Sequence, residues 1–463
     1  AVEAAVARAV EAARWWADLG FDGRRARLAD WRKALVRRLD DIAAVVRAET
    51  GKPIDDARLE LMLAIDHLAW AAKHAEKVLG RRSVSSGLLM ANQAATLRYA
   101  PLGVIGVIGP WNYPVFTPMG SIAYALAAGN AVVFKPSELT PGVGVALADS
   151  LAEIVDGRPL FQVVTGHGPT GAALCRAPGI AKIAFTGSAA TGRTIMAACA
   201  ERLTPVLMEC GGKDALIVAP DADLDAAADA AVWGAMSNAG QTCVGVERVY
   251  VVAGVAEEFT RRVVAKAEKL RPGSDAGAAF GPMTMGSQVE VVRRHVEAAL
   301  AGGGWAVVGG AESVRAPLVD TVGLVDVPAD SCAITEETFG PVLVVNTVAD
   351  VDEAVTRANG TGFGLGAAVF SRADGEQIAA RLRCGMVSIN NVISFAGIPS
   401  LPFGGVGESG FGRIHGEDGL REFTRPQSVA RQRFALPIAV TSFSRTSRGF
   451  SVLLGAVKLL RGR

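Results

Sequence analysis

Three polar side chains stand at positions from which they could carry out nucleophilic chemistry. Cys243, in NAGQTCVG (238–245), lies among small and polar residues after a predicted helix, where a thiol can be accessible and activated. Glu209 ends the apolar strand PVLME, and desolvation there raises a carboxyl pKa toward the range of a general base. Asn112, in GPWNYP, could present a fixed amide donor beside a cleft. Each also has an ordinary structural interpretation: a buried cysteine, a salt-bridged glutamate and a turn asparagine.

Two glycine-containing segments could bind an anion. FTGSAATG (185–192) follows a strand and opens a helix, so the amides around Gly187 and the hydroxyl of Ser188 can face a phosphate. A simple helix N-cap formed by Ser188 is the alternative. GHGPTG (166–171) matches G-x-G-x-x-G, but no acidic residue closes a following strand at the expected distance, so a plain turn is the preferred interpretation.

Composition excludes several classes of protein. Of the 463 residues 50% are hydrophobic and 20% charged, which excludes a disordered chain, and the net charge of +1 gives no signature of nucleic-acid binding. The six cysteines form no CxxC pair and the five histidines no cluster, so we expect free thiols in a reducing, cytoplasmic compartment and no metal. The N-terminus has no basic head followed by an apolar run, so no signal peptide is expected.

The elements that must position these residues follow from the pattern of apolar runs. A first helix ending at Gly20 and two further helices to about Leu79 are predicted, and from Thr96 short apolar strands alternate with helices. This alternation favours a parallel sheet covered on both faces, and a second series from Gly211 predicts a second α/β domain. The uncharged stretch 99–134 is broken by prolines and glycines, so buried strands and turns are favoured over a membrane span.

Seven segments occur in a fixed order along the chain: GPWNYP, NAVVFKPSE, FTGS, ECGGK, GQTC, EETFGPV and PFGGVGESGFGR. Together they resemble the NAD(P)-dependent aldehyde dehydrogenase superfamily from about residue 1 to 433. The resemblance implies an α/β fold with a Rossmann-like cofactor domain, a catalytic α/β domain and a small oligomerisation hairpin. Carried over to this chain, the limits are 1–82 and 102–210 for the cofactor domain, 211–423 for the catalytic domain, and 83–101 and 424–435 for the oligomerisation element, which leaves 436–463 as a basic amphipathic tail. A homodimer or homotetramer is also implied.

The resemblance assigns the chemical roles residue by residue. Cys243 matches the thiol that attacks the aldehyde carbon, and Asn112 with the Cys243 backbone N–H matches the oxyanion hole. Hydride then passes to the nicotinamide and leaves a thioester, and Glu209 matches the base that activates the hydrolytic water. Because relatives that acylate coenzyme A usually lack this carboxylate, release of a free acid is expected.

The resemblance also implies a set of cofactor contacts: Lys135 and Glu138 on the adenosine ribose, Gly187 and Ser188 with Trp111 near the pyrophosphate, Glu337 on the nicotinamide ribose, and Phe339 beside the nicotinamide. Since the Glu138 carboxylate would repel a 2′-phosphate, NAD is favoured and NADP is the alternative.

Four positions depart from the family pattern. Cys210 stands where many members have leucine, and it is interpreted either as a small apolar substitute or as a redox-sensitive thiol. Ile414 replaces a glutamate proposed to relay protons, for which His415 is only a distant candidate. Gly120 and Ser237 occupy the positions of two arginines that bind the carboxylate in well-known succinic semialdehyde dehydrogenases.

The expected substrate tunnel carries no fixed charge, and its expected lining is Tyr113, Phe116, Met119, Met236, Val244, Ile393, Phe395 and Phe403. An uncharged aliphatic or aromatic aldehyde should therefore bind best. A succinate-semialdehyde dehydrogenase, a catalytically silent structural homologue and an esterase remain the alternatives.

The C-terminal tail has its own charge pattern. No acidic residue follows Glu422, whereas eight basic residues do, and Phe450, Leu453, Leu454, Val457 and Leu460 fall at helical spacing. Docking on the body of the chain or on a partner subunit is the favoured interpretation, and peripheral membrane contact through 448–463 is the alternative.

Overall fold

Apolar strands alternate with helices along most of the chain, and the larger of two compact units contains most of this alternation. The computed structural model describes residues 1–435 and 442–462. The larger unit comprises Ala1–Val78 and Pro101–Thr424, and the smaller unit comprises Leu79–Ala100 and Arg425–Arg463.

Within the described residues, the helices are α1 (Val2–Asp18), α2 (Gly20–Arg37), α3 (Leu39–Thr50), α4 (Ile54–Leu79), α5 (Phe116–Ala128), α6 (Pro141–Ala152), α7 (Gly168–Arg176), α8 (Ala189–Ala200), α9 (Leu224–Met236), α10 (Ala253–Ala267), α11 (Gly286–Ala301), α12 (Cys332–Thr335), α13 (Val351–Ala358), α14 (Gly375–Ala379), α15 (Gly416–Glu422) and α16 (Ser447–Arg461). The strands are β1 (Arg82–Val84), β2 (Gln93–Pro101), β3 (Val104–Ile108), β4 (Ala131–Lys135), β5 (Phe161–Val163), β6 (Ile180–Gly187), β7 (Val206–Cys210), β8 (Asp214–Val218), β9 (Val246–Val252), β10 (Trp305–Val308), β11 (Val322–Val325), β12 (Val342–Val348), β13 (Gly366–Phe370), β14 (Met386–Ile389), β15 (Gly410–Phe411) and β16 (Thr424–Gln432).

The first sheet of the larger unit has the strand order β15-β7-β6-β3-β4-β5, and only the β15–β7 pair is antiparallel. Every residue of β3 and β4 is buried, as expected for apolar strands covered on both faces. Because β3, β6 and β7 are parallel, their carboxyl ends lie at one edge of the sheet. The segments GPWNYP, FTGS and ECGGK therefore leave the sheet on the same side.

The second sheet has the order β10-β11-β12-β9-β8-β13-β14, and it is parallel except for the pair β10–β11. Helices α9, α10 and α11 pack on one face through a large apolar cluster, and residues of α13 and α14 join a smaller cluster on the other. The GQTC segment precedes β9 and the EETF segment precedes β12. The second sheet thus contributes the amino ends of its strands to the site, whereas the first contributes carboxyl ends.

The smaller unit contains the three-stranded sheet β1-β2-β16, in which β1 and β2 are antiparallel. It also contains α16, none of whose residues is buried. The predicted helix in the tail is therefore present, although residues 436–441 and 463 of the tail predicted over 436–463 lie outside the described residues. The domain limits given above stay predictions.

Several sequence predictions need correction. Helix α1 ends at Asp18, and Gly20, at a φ of 67°, begins α2 instead of ending a helix. Three further helices follow α1, not two, because Gly51 at a φ of 75° ends α3. Helix α11 and strands β10 and β11 were not predicted. The stretch 99–134 contains the end of β2, then β3, α5 and most of β4, and none of the described helices is long and apolar enough to cross a membrane.

Candidate active site

Cys243 is half-buried in the turn between α9 and β9. The chain reaches this turn through Asn238, Ala239 and Gly240, whose φ angles are 54°, 57° and 68°. Left-handed backbone is costly for the first two residues, and the surrounding structure must enforce it. At position 240 a Cβ atom would lie 2.1 Å from the carbonyl oxygen of Gly340, so only glycine fits. These constraints fix the backbone that carries the thiol.

Hydrogen bonds join Asn112 to the cysteine turn. The buried Asn112 donates from Nδ2 to the carbonyl oxygen of Gln241 at 2.9 Å, and Asn238 Nδ2 donates to the carbonyl oxygen of Asn112 at 3.0 Å. Gln241 is itself held, since its Nε2 donates to Asn238 O at 2.9 Å and its Oε1 accepts from Thr284 N at 2.8 Å. An amide has two N–H donors, so one such bond leaves Asn112 with a second donor for an oxyanion.

A buried ion pair supports the other side of the Asn112 segment. Lys52 Nζ lies 3.0 Å from Glu60 Oε2, with side-chain exposures of 2% and 0%, and it also donates to Asn112 O at 2.8 Å. Glu60 Oε1 accepts from the backbone N–H groups of Val115 at 2.6 Å and Phe116 at 3.0 Å, at the start of α5. The pair therefore holds both ends of the turn 112–116. Sequence reasoning missed this ion pair because Lys52 lies just before α4 and Glu60 lies in its first turns, far from any recognised motif.

Glu209 lies in β7, opposite Gly410 of β15, and lines the same cavity as Cys243. It is 2% exposed, and neither carboxylate oxygen has a hydrogen-bond partner among the described residues. Burial raises the pKa of this carboxyl well above its ordinary range, against the opposing effect of Arg413. The desolvation predicted for Glu209 is thus observed, and the group is poised as a base with a high proton affinity.

The Cys243 thiol is not activated by the protein's own charges. Burial raises its pKa, and the nearby carboxyl groups of Glu337, Asp214 and Glu209 raise it further. All of these effects disfavour a thiolate. A hydrogen bond from the backbone of Val244 acts in the opposite direction and lowers the pKa of the thiol. Activation of Cys243 stays a prediction.

A second buried ion pair positions the segment that carries Glu337 and Phe339. The Glu247 carboxylate accepts from Thr338 N at 2.8 Å and Phe339 N at 2.9 Å, and it pairs with Lys213 Nζ. Glu337 Oε1 accepts from Gly212 N at 3.1 Å, and burial with the nearby Glu247 raises the pKa of Glu337 to about 8. The segment is thus fixed beside the backbone that follows Glu209.

The aromatic pair at this segment also involves Trp111, whose ring lies edge-on to Phe339 with centroids 5.6 Å apart. Trp111 was predicted near the pyrophosphate, and the structure brings it to the residue predicted beside the nicotinamide. GPWNYP and EETFGPV therefore meet at one place.

The remaining cofactor candidates lie at the carboxyl edge of the first sheet. Lys135 ends β4, and its Nζ lies 3.2 Å from Oε2 of Glu138, whose side chain is 44% exposed. Ser188 caps α8 by accepting from Thr191 N at 3.3 Å, and both residues are exposed. A Cβ at Gly187 would lie 2.6 Å from the ring of Phe185, so glycine is required there.

These positions fit a dinucleotide. An exposed carboxylate suits ribose hydroxyl groups, and an open helix N-terminus suits a diphosphate.

The segment GHGPTG was interpreted above as a plain turn. Its last residues instead form the first turn of α7.

The cavity beside Cys243 contains five of the eight predicted tunnel residues: Tyr113, Phe116, Val244, Ile393 and Phe403. Met119, Met236 and Phe395 are buried but do not line it. The lining that was not predicted includes Lys52, Asp56, Leu59, Glu60, Leu63, Thr117, Trp233 and Ser237. The expectation of a tunnel without charged residues was therefore wrong.

The four departures from the family pattern lie at or behind the cavity wall. Cys210, Ser237 and Ile414 line it, and burial raises the pKa of Cys210 to about 11.

Gly120 is packed against His415. A Cβ at Gly120 would lie 2.7 Å from Nε2 of His415, a buried residue whose two ring nitrogens have no partner in the described part of the chain. Its ring centroid lies 3.8 Å from that of His67, and burial lowers the His415 pKa, so the imidazole is neutral.

Comparison with known proteins identifies similar chains over nearly the whole length. The sequence profile described as "Aldehyde dehydrogenase family" matches residues 1–429. A Methylomonas protein named 4,4'-diapolycopene aldehyde oxidase is 39% identical, and the match covers 97% of this chain and 85% of that protein. A Mycobacterium ulcerans protein named "Putative succinate-semialdehyde dehydrogenase (NADP(+)) 2" is 38% identical, with 93% and 84% covered. The crystal structure of an NAD-dependent aldehyde dehydrogenase from Sinorhizobium meliloti superposes with a TM-score of 0.90 at 33% identity, covering 95% of this chain and 88% of that one.

Proposed function

This chain belongs to the aldehyde dehydrogenase family, and we propose that it oxidises an uncharged aliphatic or aromatic aldehyde to the free carboxylic acid with NAD. One observation carries the proposal. Cys243 and an unpartnered, buried Glu209 line a single cavity, and the Asn112 amide is bonded to the backbone two residues before the thiol. A nucleophile, a base and an oxyanion donor are thus available to one substrate.

The reaction begins when Cys243 releases its thiol proton to solvent and its Sγ attacks the carbonyl carbon as the thiolate. The alkoxide of the thiohemiacetal accepts hydrogen bonds from the second N–H of Asn112 and from the Cys243 backbone N–H. The residues proposed below as cofactor contacts would hold a nicotinamide cofactor, which would supply the acceptor for the hydride of this carbon. Glu209 then takes a proton from water, whose oxygen attacks the thioester, and the Cys243 thiolate leaves as the acid forms.

The cofactor contacts proposed are those of Trp111, Lys135, Glu138, Gly187, Ser188, Glu337 and Phe339. A preference for NAD over NADP rests on Glu138, because its exposed carboxylate would repel a 2′-phosphate. The neighbouring Lys135 ammonium moderates that repulsion, so measurable turnover with NADP is compatible with the proposal.

The preference for an uncharged substrate rests on the charges of the cavity wall. Its charged residues in the described part of the chain are Lys52, Asp56, Glu60 and Glu209, and the one cation is already paired with Glu60. A substrate carboxylate would meet carboxyl groups and no free cation. An arginine at position 120 would collide with His415. Oxidation of succinic semialdehyde, suggested by the name of the Mycobacterium ulcerans protein, is therefore the second candidate.

Assembly and location extend the proposal. A homodimer or homotetramer in the cytoplasm is proposed, and the cysteines of the described residues are all free, as a reducing compartment requires. Docking of α16 on a partner subunit is proposed, since none of its residues is buried in the single chain, and peripheral contact of residues 448–463 with an anionic membrane through Lys458 and Arg461 is the alternative. Vesicle flotation with and without anionic lipid tests this contact, and docking on a partner subunit predicts no flotation with either.

The proposed reaction is tested by following reduced-nicotinamide absorbance with NAD or NADP and a panel of hexanal, benzaldehyde, betaine aldehyde and succinic semialdehyde. Turnover of the neutral aldehydes that is lost in Cys243→Ala and kept in Cys175→Ala is the expected result. Ester hydrolysis without any cofactor-dependent oxidation would instead identify an esterase. Cofactor binding without either reaction would identify a catalytically silent homologue.

A further inference from the structure

The cavity that ends at Cys243 has an apolar mouth. Two of its lining residues, Leu59 of α4 and Trp233 of α9, are large and apolar, yet 45% and 50% of their surfaces are exposed. Residues that line a cavity and also face solvent stand at its opening. The wall between this opening and the thiol includes Leu63, Phe116 and Val244. An apolar path therefore leads from the surface toward the reacting sulfur.

More exposed apolar residues lie on the elements that surround this opening. Met62, one turn from Leu59 on α4, is 57% exposed. Ile398 and Leu401 are 41% and 42% exposed, and they follow Ala396, which lines the cavity. A Cβ at Gly397 would lie 3.7 Å from Leu63 Cδ2, so this segment and α4 are in contact. We call Leu59, Met62, Trp233, Ile398 and Leu401 the mouth ring.

Such a ring needs an explanation. Single exposed apolar residues are ordinary, but several grouped around a cavity mark a binding surface. The charges beside it are acidic or neutralised: Asp56 lines the cavity, and the exposed Asp55 pairs with Arg58, which also pairs with Asp40. An anionic lipid surface or a substrate with a distal carboxylate would gain nothing from these charges. An uncharged hydrocarbon matches the ring.

We propose that the mouth ring binds the hydrocarbon tail of a long-chain aldehyde whose carbonyl end reaches Cys243. The inference rests on the proposed aldehyde oxidation and narrows its substrate class to aldehydes longer than the cavity itself. The tail runs past Leu63 to Leu59 and Trp233 and lies against the ring outside. Because the ring lies at the mouth, away from the reacting carbon, its contacts stabilise bound substrate and transition state alike. They therefore lower KM without raising kcat.

The test compares straight-chain aldehydes from propanal to dodecanal with NAD, below the concentrations at which they form micelles. In the native chain kcat/KM should rise with length by about two- to fourfold for each methylene that leaves water. Trp233→Ala and Leu59→Ala should each lower kcat/KM for dodecanal by about tenfold through KM and leave propanal within about twofold, since each removes one large apolar contact. Trp305→Ala is the matched control, because Trp305 is 55% exposed and does not line the cavity.

Four outcomes would overturn the inference: a flat dependence on chain length, an equal loss for propanal and dodecanal in Trp233→Ala, a preference for betaine aldehyde over neutral aldehydes, and a change of oligomeric state in Trp233→Ala. The last two would assign the mouth to a cationic substrate attracted by Asp56 or to a second copy of the chain. Failure of the proposed function is distinguishable, because then no aldehyde of any length would reduce the cofactor.

Discussion

Two kinds of buried ionisable group surround the cavity, and they differ in how they are partnered. Glu60 and Glu247 use the same arrangement: each carboxylate takes one lysine and two consecutive backbone N–H groups. Glu209 is equally buried and has no hydrogen-bond partner in the described part of the chain. A fully partnered carboxylate fixes the loop that it binds, whereas an unpartnered one keeps its lone pairs for a proton. Partnering thus separates groups that hold the site from a group that reacts in it.

The largest expected effect comes from removing the reactive group. Glu209→Gln should lower aldehyde turnover by about 10²–10⁴-fold, because the hydrolytic water loses its base. The same change should raise the free energy of unfolding at neutral pH, since it removes a titratable group whose charged form is disfavoured in the folded chain. Steady-state kinetics and urea unfolding measure the two effects. A variant that loses both activity and stability would show that Glu209 has a structural partner.

Removing a partnered carboxylate should act in the opposite direction on stability. Glu60→Gln leaves Lys52 buried without its counter-ion, and a loss of about 3–5 kcal/mol in the free energy of unfolding is expected. Lys52→Met/Glu60→Met should recover part of that loss. Glu201→Gln, which breaks the exposed pair with Arg176, is the control and should change stability little. Equal effects of Glu60→Gln and Glu201→Gln would contradict the role given to burial.

The dependence on pH follows from the raised pKa values of Glu209 and Cys243. Both groups react in their deprotonated forms, so kcat/KM should rise with pH, by up to about tenfold per pH unit for each group, beyond the pH at which ordinary carboxyl groups are ionised. Native Glu209 binds its proton more tightly than the unfolded chain does. The bound proton therefore stabilises the folded chain at low pH, and this contribution is lost as the pH rises above the ordinary pKa of a glutamate. The pH profiles of kcat/KM and of the free energy of unfolding are compared between the native chain and Glu209→Gln, which separates the contribution of Glu209 from that of Cys243. A flat profile of kcat/KM would exclude both assignments.

The smallest effect is expected at His415. Like Glu209 it has no hydrogen-bond partner in the described part of the chain, but unlike Glu209 it has no role in the proposed reaction. His415→Phe removes two buried nitrogens without partners and keeps an aromatic ring against His67. Stability should change by about 1 kcal/mol or less, toward a more stable protein, and kcat should stay unchanged. A loss of kcat with an altered pH profile would instead support a proton relay through His415.

The sequence predicted the parts of the site that are local in the chain. Cys243, Glu209 and Asn112 lie in short segments near strand ends, and residue type alone left each with an ordinary structural interpretation. The order of the seven segments, and the family resemblance that it carries, selected them. Lys52 was missed because it lies in the short loop before α4, and Glu60 and Trp233 were missed because each belongs to a helix whose pattern records only which face is buried. Which cavity that face borders depends on the packing of helices onto the sheets. The family fold was confirmed, whereas the internal domain limits stay predictions.

The close approach of Gly120 to His415 has a consequence for how such a site changes over generations. A Cβ at 120 would lie 2.7 Å from Nε2 of His415 and 2.8 Å from Cδ1 of Ile414. In a lineage starting from this chain, an arginine gained at 120 would have to displace the ends of these two side chains, so its cost depends on the residues at 414 and 415. Smaller residues there would lower that cost before they bring any benefit to substrate choice. The order of substitutions, and not only their number, therefore affects how readily this cavity could come to bind a carboxylate.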